Sequence, residues 1–327
     1  MGRKRKGGAG KGGAKGKPAV HGGSKKVQEK RKTQAAMVVP KDQYRKQQTK
    51  QQSNAKAPAK KLSAGDRLAE MRRRLDGGKF RMLNEQLYTT TGKDAFVTFQ
   101  ADPELFDVYH QGFREQADKW PVNPLDTFID YVKYVCLQWE RHPKAVVADF
   151  GCGDARLAES VPNKVHSFDL VSRKPHVTAC NIANVSKPST SLHYWVLDIL
   201  LSYEIDEEFA GLCVVLVQVP LKNSSVDIGV YCLALMGTSI REYVREVYRV
   251  LKPGGVLQVA EVKSRFESES LGGIAGFVQT MRKMGFDCKH KDERNKMFVL
   301  FEFVKSSARK PQDAGPMELK ACEYKRR

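Results

Sequence analysis

No Cys-x-x-Cys pair occurs among the seven cysteines (Cys136, Cys152, Cys180, Cys213, Cys232, Cys288, Cys322), and no histidine stands at ligand spacing beside them. Neither a disulfide framework nor a metal site is expected, and a reducing intracellular compartment fits best. Long apolar runs are also missing. The most apolar stretch outside the expected strands, 195–220, is broken by Asp198, Glu204, Asp206, Glu207 and Glu208. It cannot cross a bilayer cheaply, so no membrane is expected as a partner. The first residues are charged and have no apolar core, so no secretory signal is expected there. Aromatic residues are almost absent up to residue 62, where Gly, Lys, Gln and Ala dominate. Such a segment cannot bury enough apolar surface to offset the entropy of ordering, and 1–62 reads as a disordered arm.

Acidic side chains are scarce in the same region. Residues 1–79 hold 24 Lys and Arg against 5 Asp and Glu, a net +19 that equals the formal charge of the whole 327-residue chain. The remainder is balanced, with 32 basic and 32 acidic residues. The pattern is a basic arm on a neutral domain, and it suggests an acidic polymer as partner. MGRKRK and KKVQEKRK are basic clusters of the kind that serve as nuclear or nucleolar addresses or contact nucleic-acid phosphates. A solubilising tail is the plain alternative.

From Ser63 a helical texture begins. Leu68, Met71 and Leu75 recur at helical spacing before Gly77-Gly78, which is expected to break the helix. Residues 102–117 and 123–140 read as two further helices, separated by the turn DKWPVNP; in the first, Leu105, Phe106, Tyr109 and Phe113 form one apolar face. After Lys144 the texture becomes α/β. Apolar strands are expected at 145–150, 166–170, 176–180, 226–235 and 256–262, with a helix over 239–251 closed by Lys-Pro-Gly-Gly. A last helix near 268–284 precedes DCKHKDE and KMFVLFEF, which read as a terminal antiparallel pair. Strands alternating with helices imply a mostly parallel sheet covered on both faces.

The chemistry gathers at strand ends. VVADFGCGD (146–154) is a strand running into Gly151-Cys152-Gly153 and then a helix, where glycine lets the backbone approach a ligand. The spacing is not that of a dinucleotide-binding loop, so a pyrophosphate cradle is disfavoured. Asp149 is placed to organise the loop. Asp169 ends the second strand, where a carboxylate can accept both hydroxyls of a ribose; a strand-end cap is the bland alternative. Asn181 and Ile182 follow the third strand, a polar group for an adenine edge and an apolar one for its ring. A glycine loop, a ribose acid and an adenine clamp at successive strand ends form the order of an S-adenosyl-L-methionine site.

These segments, together with FRMLNEQLYT, LFDVYHQGFREQADKWPVNPLD, CLALMGT, RVLKPGGVLQVAEVKSRF and the terminal CEYKRR, resemble the nucleomethylin or ribosomal RNA-processing protein 8 family over most of residues 80–327. The resemblance implies a Rossmann-like class I methyltransferase: a mostly parallel seven-stranded sheet, helices on both faces and an N-terminal helical extension. The implied division is a basic arm (1–62), a helical extension (63–143) and a methyltransferase domain (144–327). The implied reaction is methylation of adenine N1 in large-subunit ribosomal RNA within the pre-ribosome, in the nucleolus. The implied cofactor contacts are His110, Gly151, Asp169, Asn181, Ile182 and Cys232, to which Asp149 and Gly153 are added from the loop. Read without the family, His110 is a packing histidine and Cys232 an apolar filler. Met236, Gly237, Thr238, Lys263, Arg265 and Phe266 are candidates for contacting the target base and its phosphates, with Lys263 and Arg265 otherwise plain solvated charges. No catalytic residue is assigned, because adenine N1 carries its own lone pair and needs no strong base. No Pro-Pro-aromatic motif of exocyclic amino methyltransferases follows the fourth strand.

Two features depart from the family. Asn181 stands where it usually has Asp, which keeps an acceptor oxygen but removes the charge, so weaker binding is expected. About 33 residues (186–218) separate segments that are nearly contiguous in relatives. The ends of this insertion, Val-Ser-Lys and Leu-Val-Gln, are compatible with intron-boundary codons, so one reading is translated intron; the other is a lineage-specific loop over the adenine pocket. Two rival functions stay open: a methyltransferase for another RNA or a protein, and a non-enzymatic cofactor-binding chromatin or ribosome-assembly factor.

Overall fold

Period-two burial sorts the sheet's side chains onto two faces. Ala148, Phe150, Tyr231, Leu257 and Val259 join one core, and Val147, Ile228, Val230 and Ala260 join the other. In a computed structural model of the chain, the described residues are 63–138, 144–183, 219–268, 270–315 and 317–322, all within one unit, Val39–Arg327. The expected arm (1–62) and insertion (186–218) lie outside them.

Seven strands form one sheet: β1 (Val147–Phe150), β2 (Val165–Asp169), β3 (Val177–Ala179), β4 (Val226–Cys232), β5 (Leu251–Val262), β6 (Phe286–Asp292) and β7 (Phe298–Lys305). The order is β3-β2-β1-β4-β5-β7-β6, with β1 to β5 parallel and β7 antiparallel to both of its neighbours. The order reverses beside β1, and that is where the crevice at the carboxyl ends of the strands opens. This is the class I methyltransferase arrangement. Between Val226 and Ile228 the register on β5 jumps from Leu251 to Val256, so Lys-Pro-Gly-Gly bulges out of a strand that begins five residues before the expected 256. Lys252 then reaches across the bulge to Asp227 at 2.8 Å.

Helices cover both faces. On one side lie α6 (Ile240–Val250), whose Val244 and Val247 are buried, and α7 (Gly273–Lys283), whose Phe277 and Met281 are fully buried. On the other lie α4 (Pro124–Gln138), with Phe128 and Val132 buried, and the short α5 (Arg156–Ser160), with Leu157. The amino-terminal helices α1 (Ala64–Thr89), α2 (Gly92–Ala101) and α3 (Pro103–Ala117) bury Phe80, Leu83, Leu87, Phe99, Phe106 and Tyr109 among themselves. Each starts on a side-chain cap, from Ser63 (with Asp66 closing a capping box), Thr91 and Asp102 respectively.

Two expectations change here. Gly77-Gly78 does not break α1, which runs unbroken for 26 residues. Two mid-helix glycines cost roughly 1 kcal/mol each, less than burying Phe80, Leu83 and Leu87 just beyond them returns at about 1.5–3 kcal/mol per side chain. Helix α2 was not anticipated. The stripe of Leu68, Met71 and Leu75 is helical as expected but exposed, at 53%, 61% and 66%.

Glycine matters differently at two points of this extension. A Cβ on Gly112 of α3 would lie 2.5 Å from Phe80 of α1, whereas one on Gly77 would meet nothing nearer than the Arg81 guanidinium at 3.6 Å. Gly112→Ala is therefore expected to destabilise the chain by about 1–3 kcal/mol through overpacking, and Gly77→Ala to stabilise it by about 0.5–1 kcal/mol. Thermal denaturation of the two variants checks the pair of opposite signs.

Candidate active site

The loop after β1 is held by backbone and by one carboxylate. Gly151 and Cys152 both donate to the Phe168 carbonyl, at 2.8 and 3.0 Å. Gly151 (φ 73°) and Gly153 (φ 53°) take the left-handed conformation that side chains resist. A Cβ on Gly151 would sit 2.5 Å from that of Ala234, and one on Gly153 would sit 3.1 Å from the His110 ring. Asp169, at the end of β2, accepts from the Gly153 N–H (2.6 Å) and the Leu170 N–H (2.7 Å), one on each oxygen. Two of its roughly four acceptor positions are thus spent on the loop and the others remain for a ligand.

A cavity of about 370 Å³ opens over this loop, within the size range of small-molecule sites. Its walls include His110, Asp149, Gly151, Gly153, Asp169, Asn181, Ile182 and Cys232, so the eight residues expected from sequence come together in one place. Met236 lines it as well. Gly237 and Thr238 lie beside it, tied to the end of α1: a Cβ on Gly237 would meet the Thr90 carbonyl at 2.5 Å, and the Thr238 N–H donates to that carbonyl at 3.1 Å.

The remaining candidates are corrected. Arg265 and Phe266, on the 3-10 turn Lys263–Phe266, are 0% and 1% exposed and face the interior. Phe266 packs in the core against Phe277 and Phe301. Arg265 stands 2.7 Å from Glu261 and over the Tyr88 ring. Burial works against its charge, yet Glu261 beside it holds the guanidinium above its ordinary value. The Lys263 amine donates to the Glu293 carbonyl (2.5 Å), on the connection between β6 and β7. None of the three lines the cavity; burial rules out the expected contact of Arg265 and Phe266 with base or phosphate, and half-buried Lys263 stays a candidate for phosphate only.

Sequence reading missed the wall contributed by the extension. Thr90, Thr91, Ala95, Phe99, Phe106, Tyr109 and Phe113 all face the cavity. The available signal was the apolar face of 105–113, read only as a packing face. Anchors fasten this wall to the sheet. Gln100 donates to the Leu170 carbonyl (2.6 Å), Gly92 N–H to Ser239 (3.1 Å), Tyr109 to the Met236 sulfur (3.4 Å), and Arg114 pairs with Asp154 (2.9 Å).

Burial sets the electrostatics of the cavity: it disfavours the charged forms of His110, Cys232, Asp149 and Asp169 alike. Burial lowers the His110 pKa, against the opposing pull of Asp169, and its ring lies 4.2 Å from that of Phe106. Burial, with Asp149 and Glu261 nearby, holds the Cys232 thiol well above its usual range. Burial and the neighbouring Asp169 push Asp149 up to about 7. Asp169 is also raised, burial outweighing His110 and the two backbone donors. Asn181 already accepts the Ala183 N–H on its amide oxygen (3.0 Å).

Comparisons with known proteins agree with this geometry. A family model described as a hypothetical methyltransferase matches residues 66–204 and 204–327, the two matches meeting inside the expected insertion. The chain is 41% identical to ribosomal RNA-processing protein 8 of Arabidopsis thaliana, over 85% of this chain and 84% of that one. The chain belongs to the ribosomal RNA-processing protein 8 family. It is 41% identical to the rat member over 83% of its length but spans only half of that longer protein. It is 40% identical to the 25S rRNA (adenine(645)-N(1))-methyltransferase of Schizosaccharomyces pombe, over 79% of this chain and 71% of that one. As a member of this family the chain is a methyltransferase whose cofactor is S-adenosyl-L-methionine. The site fits that group: a close-approach glycine loop, a carboxylate with acceptor capacity to spare, and an amide beside an apolar wall. Among the described residues no helix is long and apolar enough to cross a membrane.

A carboxyl whose pKa is raised by folding keeps its proton where the unfolded chain has lost it. Its folded state is therefore favoured by acid, and stability falls as pH climbs from about 4 to about 7. Asp149→Asn removes that penalty. Without ligand it is expected to melt higher than the unsubstituted chain at pH 8, by on the order of 2 kcal/mol, and to match it at pH 4. Thermal denaturation at the two pH values checks this; a lower melting point at pH 8 would show that the carboxylate has a stabilising partner.

Proposed function

We propose that this chain transfers the methyl group of S-adenosyl-L-methionine to N1 of an unpaired adenine in large-subunit ribosomal RNA, in the nucleolus. The observation that carries the reading is the convergence of the β1 loop, Asp169 and the Asn181–Ile182 pair on one cavity. The activity named for the fission yeast relative supplies the substrate. When bound, the cofactor provides an electrophilic methyl group. The chain's part is to bind, orient and exclude water, which is where most of the catalysis of an in-line displacement lies.

Asp169 is assigned to the ribose hydroxyls, Asn181 and Ile182 to the adenine, and the loop from Gly151 to Gly153 to close backbone approach. Neutral His110 covers that loop, and Asp149 stands behind it for the cationic amino-acid end. Cys232 and Met236 form an apolar wall that excludes water. An adenine N1 attacks through its in-plane lone pair, so this target asks no general base of the cavity. N1 lies on the pairing edge, which requires a single-stranded or extruded base. The basic arm of 1–62 is assigned to backbone phosphates, which supply affinity and not base choice. Residues 63–143 are assigned to a helical extension and 144–327 to the methyltransferase domain. For 186–218 the proposal is a translated intron, since transcripts joining Val185 to Val219 would restore the family's continuity.

The test is transfer from labelled cofactor to ribosomal RNA, with nucleosides separated by mass spectrometry. A 1-methyladenosine product supports the reading, and label on protein or another base overturns it. Calorimetry on the same preparations is expected to show S-adenosyl-L-methionine affinity falling about 100-fold in Asp169→Ala and rising about threefold in Asn181→Asp, as charged acceptors hold donors more strongly than neutral ones.

A further inference from the structure

We infer that Glu261 and Arg265 are positioning residues for methyl transfer, acting together as a buried clamp on the turn that follows β4. The inference rests on the proposed reaction and adds to it the device that holds its floor in place. Residues 233, 234 and 236 of this turn line the cavity, while Leu235 between them points into the core and is 1% exposed. Leu233 has φ 59°, a left-handed conformation costly for a branched side chain, and such geometry persists only where the surroundings enforce it.

The enforcement is directional. Glu261 accepts the Leu235 N–H at 3.0 Å, and Arg265 donates to the Leu235 carbonyl at 2.6 Å. Both backbone groups of one residue are thus held by the two members of an ion pair that are themselves 2.7 Å apart and fully buried. One residue before Glu261, the Ala260 carbonyl accepts the Leu233 N–H at 2.9 Å. Arg265 also donates to the Lys320 carbonyl at 3.0 Å, and the Lys320 N–H returns a bond to the Arg265 carbonyl at 2.8 Å. Its guanidinium carbon lies 4.6 Å from the centre of the Tyr88 ring at the end of α1. The clamp therefore joins β5, the carboxyl-terminal segment, α1 and the turn. A buried ion pair is no better for stability than well-packed apolar residues of the same volume. Apolar residues have no way to fix a carbonyl and an amide in direction, and this pair does both.

The full chain is compared with Arg265→Lys and Glu261→Gln, all well below their melting temperatures. Three quantities are read: calorimetric affinity for S-adenosyl-L-methionine, single-turnover transfer to ribosomal RNA, and the carbon-13 methyl resonance of Met236, assigned with Met236→Leu. The expected result is cofactor affinity within about threefold, a transfer rate lower by about 10- to 100-fold, and a Met236 resonance that moves or broadens. A Met236 resonance unchanged in both variants overturns the inference. So does a loss of rate matched by an equal loss of cofactor affinity, which marks a purely structural pair. Should the unsubstituted chain leave ribosomal RNA unmethylated, the substrate proposal fails, and the Met236 resonance still decides the clamp.

Discussion

The Asp169 carboxylate is the interaction on which the site depends. It closes β2, and its two oxygens take the Gly153 and Leu170 N–H groups. In the loop after β1, with its two left-handed glycines, the Gly151 and Cys152 amides are met by the Phe168 carbonyl of β2 but the Gly153 amide is not, and an unpaired buried amide costs about as much as a lost hydrogen bond. Asp169 removes that cost, but must stay buried to do so, and burial raises its own pKa; Asp149 is raised by its own burial first and by Asp169 beside it second. The chain thus carries two desolvated carboxyl groups side by side. That arrangement is unfavourable in the empty protein and favourable to a ligand that brings hydroxyl donors and a positive charge. Stability and binding pull in opposite directions at this spot, as they do at many sites.

The amino-terminal helices complete what the sheet begins. A crevice at strand ends is open on one side, and here α1, α2 and α3 supply the missing wall with Thr90, Phe99, Phe106 and Tyr109. Gly112 lets α1 and α3 approach closely enough to bring that wall in, Gln100 pins it to the segment after β2, and Gly92 and Tyr109 pin it to the segment after β4. The extension and the sheet therefore make one site.

Much of this was legible in the chain. Parallel strands buried on both faces read as short apolar runs, and a Gly-x-Gly at the end of one, with an acid at the end of the next, announces a ligand crevice. Asp149, Gly151, Gly153, Asp169, Asn181 and Ile182 were legible because the topology of such sheets puts successive strand ends together, whereas His110 and Cys232 came from the family resemblance. Other features were opaque for physical reasons. Gly77-Gly78 reads as a break from local propensity, whereas packing of Phe80 and Leu83 decides the matter. Helix α2 is ten residues long and capped by Thr91, too short for a strong periodic signal. Arg265 reads as a solvated charge because a single chain position does not reveal its partner. Its spacing of four from Glu261 was the available sign, and it is ambiguous, since the same spacing describes ordinary surface pairs on helices.

The charge distribution separates affinity from selection. All of the excess positive charge belongs to residues 1–79, and residues 80–327 are neutral in sum. Phosphate contacts made by a basic segment are indifferent to sequence and weaken with salt, so they can bring a polyanion near without choosing a base. Choice then falls to the cavity, whose walls around Cys232 and Met236 are apolar. An apolar wall gives phosphates little attraction, while a single uncharged base can enter against it. For a nucleophile that already has its lone pair, entry in the correct orientation is most of the chemistry, and the rigid turn after β4 becomes the part of the fold that the reaction can least afford to have move.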